Sequence, residues 1–149
     1  MSRKAPAILL ALGLVLSASP AANVGGAQEK EGLSFRAVDV FIDPQGKPLA
    51  AWQVEVVADG PGGGLIVGVE GGDGPHFKHA PYYDPAALQG GRIIIAAFTT
   101  ADGPPAAKFR AARLHLAERG GPGRYTARVM AAAAPGGERI GAAVEVSGR

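Results

Sequence analysis

From Phe35 onward, apolar residues recur at every second position of the chain. Val38, Val40 and Ile42 alternate with Asp39, Phe41 and Asp43; Trp52, Val54 and Val56 alternate with Gln53 and Glu55; Leu65, Val67 and Val69 continue the pattern. Clusters of Pro, Gly, Asp and Gln at 43–48 and 59–64 punctuate these runs. Period two between turn clusters is the mark of half-buried strands, because successive side chains of a strand point to opposite faces. Ile93, Ile94, Ile95, Ala96, Ala97 and Phe98 are apolar at every position, which predicts a central strand. After a turn at 102–105, Ala112, Leu114 and Leu116 form the predicted core face of the next strand, opposed by Phe109, Ala111, Arg113 and His115. Tyr125, Ala127, Val129 and Ala131, then Ile140, Ala142, Val144 and Val146, complete seven predicted strands. An all-β, antiparallel two-sheet sandwich is the expected way to bury them, as a single domain over residues 34–147 behind a flexible segment 28–33. Trp52 shares the face of Val54 and Val56 and is expected in the core.

Residues 71–91 break the pattern. They hold two of the three histidines and two of the three tyrosines of the chain. Asp84 followed by Pro85 is a preorganised helix start and Gly90 an available stop, so one short helical turn is expected near residues 84–89. Phe77, Tyr82, Tyr83 and Asp84 are the candidate ligand-binding residues: amphipathic rings present a flat apolar face and a polar edge, which suits stacking against sugar rings. The competing reading has one tyrosine packed down to pin the loop while its neighbour points out. Asp73, His76 and His79 are the candidate metal ligands, since imidazole with carboxylate suits zinc or copper, although the spacing is loose and Gly71, Gly72 and Gly74 surround it.

The N-terminus carries Arg3 and Lys4, then an unbroken apolar run over residues 7–16, then small residues and Pro20. Ten residues of helix reach about 15 Å, half a bilayer core, so a cleaved signal peptide over residues 1–27 is expected rather than a spanning helix. The mature protein would then be secreted or periplasmic, with no stable membrane insertion. Removing 1–27 takes two of the fifteen basic residues and leaves thirteen against thirteen acidic ones, which argues against a nucleic-acid partner. Charge is unevenly placed: residues 28–107 are acidic and 108–149 basic, which in an antiparallel fold predicts internal ion pairs. With no cysteine in the chain, and only Ser34 and Ser147 beyond the signal, a nucleophile paired with a base is hard to assemble. A non-enzymatic protein without cofactor is expected.

Val38, Val40 and Ile42, the run from Leu49 through Ala50, Ala51, Trp52, Gln53, Val54 and Glu55 to Val56, the later run Gly91, Arg92, Ile93, Ile94, Ile95, Ala96, and the final alternation Ala112, Arg113, Leu114, His115, Leu116 together resemble the cohesin-type sandwich. The likeness covers about residues 34–147. It implies a nine-stranded jelly-roll sandwich, related in shape to some carbohydrate-binding modules, whose members mediate extracellular protein assembly. One motif departs: the Tyr, Asp, Pro, x, x, Leu run frequent after the second strand of cohesins stands here at 83–88, one strand later. The expected function is therefore extracellular protein recognition, with carbohydrate binding through the loop 71–91 as the alternative and a small metal-binding protein as the third reading. The expected partner is an extracellular protein or glycan.

Overall fold

Alternation becomes a sheet first in strand β1 (Leu33–Asp43), where Val38, Val40 and Ile42 are fully buried on one face while Phe35 and Phe41 look outward. The computed structural model describes residues 32–60 and 62–148; the expected signal peptide and residues 28–31 of segment 28–33 lie outside them. The further strands are β2 (Ala51–Asp59), β3 (Leu65–Gly71), β4 (Tyr82–Tyr83), β5 (Arg92–Phe98), β6 (Phe109–Arg119), β7 (Arg124–Ala133) and β8 (Ala143–Gly148). They form two four-stranded antiparallel sheets, ordered β3-β6-β1-β8 and β4-β5-β2-β7. The fold is thus the expected all-β two-sheet sandwich, and the one helical piece among the described residues is the 3-10 turn Pro85–Ala87.

The strand count differs from both expectations. Eight strands stand among the described residues, not the seven of the alternation or the nine that the cohesin resemblance implies, because β4 is two residues long and too short for a period to register. The pairings β1 with β8, β2 with β7, β3 with β6 and β4 with β5 are those of one long hairpin folded over both sheets, the winding of a jelly roll. Pairings of β1 with β6 and β2 with β5 stitch its turns together.

The core lies between the sheets. Val54, Val56, Ile93 and Ile95 of one sheet face Val38, Val40, Ile42, Leu114 and Leu116 of the other, each essentially without solvent contact. Burying each such side chain is worth about 1.5–3 kcal/mol relative to exposure. At one pole Trp52, Phe77 and Phe109 close the core, Phe77 stacking on Phe109 at 5.4 Å and meeting Trp52 edge-on at 5.9 Å. At the other pole a polar cluster of Arg36, Glu118 and Tyr125 takes its place.

Candidate functional site

The loop after β3 doubles back tightly, and its glycines are there for packing. A Cβ on Gly71 would lie 2.1 Å from the Lys78 carbonyl oxygen and one on Gly72 1.9 Å from that of Arg110. The Gly72 N–H donates to the Phe77 carbonyl and the Asp73 N–H to the Arg110 carbonyl, fixing the segment against β6. The Asp73 carboxylate accepts from Arg110 at 2.6 Å. His76 Nδ1 stands 3.4 Å from Thr99 Oγ1, and His79 is exposed. Among the described residues no three His, Asp or Glu side chains gather as a metal would require, so Asp73, His76 and His79 are not brought together. Their chain proximity is undone by the loop's reversal, which turns Asp73 toward β6.

Phe77 is no part of a surface platform. It is 3% exposed and belongs to the core, where it anchors the loop. Tyr82 and Tyr83 are consecutive residues of β4 and so point to opposite faces. Tyr83 packs half-buried on the core, whereas Tyr82 is 70% exposed. Asp84 caps the 3-10 turn, its Oδ1 accepting the Ala86 N–H at 2.9 Å. Of the four candidate ligand-binding residues, Tyr82 alone presents a large apolar surface.

Tyr82 lies on the outer face of β4-β5-β2-β7, and strand register gives its neighbours. At the pole nearest the Trp52 cluster, Phe98, Ala51 and Ala133 stand in a row; in the next are Tyr82, Ala96, Gln53 and Ala131. The Tyr82 and Phe98 rings are nearly parallel, 8° apart with centroids at 6.2 Å, and Phe98 is 61% exposed. Together with the alanines they bound a hollow of about 280 Å³ whose lining is almost wholly apolar. A second hollow on the other flank of Tyr82 is more polar, bordered by Gln53, Asp84 and Arg92.

The third row of this face changes character: Ile94, Glu55, Arg128. Glu55 is nearly buried beneath two guanidiniums, accepting from Arg92 Nε at 2.6 Å and from Arg128 Nε. Hydrogen bonding to Arg128 first, and then to Arg92, holds the Glu55 carboxyl below the usual carboxylate range against the opposing effect of burial. The outer face of the other sheet is different again, a lattice of polar pairs: ion pairs of Asp39 with Arg113 and Lys108 with Glu145, and a 2.8 Å contact between Glu70 and the His115 imidazole.

Sequence alone does not single out Phe98 and the alanines, although their signal is present. A run apolar at every position predicts a central strand, and β5 is flanked by β4 and β2. Its outward residues Ile94, Ala96 and Phe98 nevertheless have no layer above them among the described residues. No protein-family model, no curated protein and no solved structure matches the chain.

Proposed function

We propose that this chain is a non-catalytic recognition module working outside the cytoplasm, and that its protein-binding surface is the apolar end of the outer β4-β5-β2-β7 face. One observation carries the reading: the exposed, parallel rings of Tyr82 and Phe98 beside a floor of alanine methyl groups. Exposed aromatic side chains around a small apolar hollow are the usual anchors of a protein interface. The cohesin resemblance is supported only at the level of a two-sheet antiparallel sandwich, and protein recognition is carried over from it by analogy, since one fold hosts many functions. Export rests on Arg3, Lys4 and the apolar run 7–16.

Carbohydrate binding is the second reading. It is favoured by the polar hollow beside Tyr82, where an aromatic ring, the Gln53 amide, the Asp84 carboxylate and the Arg92 guanidinium border one space, as sugar hydroxyls require.

The immobilised chain and its Tyr82→Ala, Phe98→Ala double variant, exposed to the secreted proteins of the source organism and to a panel of polysaccharides, separate the two. Loss of both rings is expected to weaken retention of a protein partner by roughly thirtyfold or more. Equal retention by both chains would refute the face; retention of a polysaccharide with no protein would move the function to the second reading.

A further inference from the structure

We infer that the partner segment taken by this face pairs an aliphatic side chain with a carboxylate, the first filling the alanine-floored hollow and the second meeting Arg128. The inference rests on the protein-binding reading above and adds the chemistry of the partner.

Within the four strands the two apolar rows carry no charged residue, Phe98, Ala51 and Ala133 and then Tyr82, Ala96, Gln53 and Ala131; at the β7 edge Arg139 bridges to Ala133 and extends the first row. On the strands themselves charge begins at the third row, where a single carboxylate, Glu55, lies between two guanidiniums, leaving one positive charge uncompensated there. Arg128 is the freer of the two. It engages Glu55 through Nε, its side chain is 67% exposed, and neither of its terminal amino groups donates to any described residue. Arg92 directs both Nε and Nη2 at the same carboxylate. Of the other charges, Arg139 stands at the β7 edge with its Nη2 donating to the Met130 carbonyl, Asp84 caps the 3-10 turn and makes no ion pair with Arg92 among the described residues, and Asp59 and Arg124 oppose each other at the far pole.

A guanidinium already held by one carboxylate, with its terminal donors facing solvent, is a preorganised fork for a second carboxylate. The hollow next to it would desolvate sugar hydroxyls against methyl groups, with only the Gln53 amide and the Tyr82 hydroxyl as side-chain compensation. Aliphatic side chains incur no such cost. Geometry adds a spacing: from Gln53 to Glu55 is about 7 Å along β2 and from Ala51 about 13 Å. An extended segment running along the strands would therefore carry its Asp or Glu two to four residues from its aliphatic anchor.

A phage-displayed library of random linear dodecapeptides, panned on the immobilised full chain, tests this. Enriched sequences are expected to hold Leu, Ile or Met with Asp or Glu two to four positions away. The best synthetic peptide should lose roughly tenfold in Kd on an Arg128→Gln chain, the cost of one charge-assisted contact, and the loss should shrink at about 0.5 M salt. Changing the peptide's own acid to its amide should cost the same on the unaltered chain, which keeps the test decisive if the variant does not fold. Apolar peptides with no acidic preference, or an amide peptide binding undiminished, would overturn the pairing while leaving protein recognition standing. No enrichment over a Phe98→Ala chain would overturn both. Self-association of the chain that Phe98→Ala abolishes would also overturn it, since a second copy would then cover the face.

Discussion

A carboxylate whose side chain is 2% exposed persists in this fold because four donors meet it. Glu118 accepts from Arg36 Nε and Nη2, from the Gly123 N–H and from the Tyr125 hydroxyl. The Arg36 hydrogen bond, more than the opposing burial, lowers the carboxyl to about 2, with Tyr125 and Gly123 adding to it. Burial and the bond to Glu118 raise the Tyr125 phenol to about 12. A carboxyl lowered on folding stabilises the native state above its ordinary value near 4.5 and loses that contribution as pH falls toward 2. Glu118→Gln is therefore expected to destabilise by about 3 kcal/mol at pH 7, the cost of leaving Arg36 without its partner. The gap to wild type, measured by urea unfolding, should narrow steadily between pH 4.5 and 2; a gap that widens on acidification would contradict the assignment. Gly72 gives a second residue-level prediction. Its missing Cβ makes room for the Arg110 carbonyl, so Gly72→Ala should cost about 1–3 kcal/mol in the same measurement. At Gly74 a Cβ would touch nothing and only its positive φ of 79° resists replacement, so Gly74→Ala should cost about 1 kcal/mol.

At the scale of elements, the loop 71–91 is held by one aromatic residue and offers another. Phe77→Ala empties a packed position between Trp52 and Phe109 and should cost about 3–5 kcal/mol, with faster amide exchange through the loop. Tyr82→Ala should stay within about 0.5 kcal/mol of wild type, since the ring is mostly solvated. Equal costs in chemical denaturation would mean that the loop is not pinned from below. The long strands were legible because alternation marks the buried face of β1 and β2 residue by residue; in β6 it does so for Ala112, Leu114 and Leu116, while a bulge at Ala111 turns Ala111 and Phe109, read as opposed to the core, into it. The same pattern names no partner strand, so the pairing of β1 with both β6 and β8 could not be read from it. Within the loop, Asp84 and Pro85 announced their turn through local chemistry, whereas Tyr82 and Tyr83 could be sorted into outward and inward only by β4. The charge asymmetry did predict ion pairs between the chain's halves, and Asp39 with Arg113, Glu55 with Arg128 and Asp73 with Arg110 are such pairs. Edge strand β7 is shielded by related means: Arg124 and Arg128 on its outer face and a bulge opposite Gln53 and Val54 make it a poor template for another strand.

For the molecule as a whole, nested pairing sets the pace of assembly. β1 cannot be completed until β6 and β8 are in place, so the sheet contacts are overwhelmingly non-local and refolding should take milliseconds to seconds in stopped-flow fluorescence of Trp52. Microsecond relaxation would be incompatible with that pairing. The same register fixes a polarity along the sandwich. β1 opens at Leu33 opposite Arg119, and β8 closes at Gly148 opposite Val38, so both run out at the pole of Glu118 and Arg36. The Phe98, Ala51 and Ala133 row stands at the other pole, beside Trp52. Anything joined to the described part through either strand end would carry it like a head on a stalk, with the alanine-floored hollow near the tip and Arg128 on the shaft side of it.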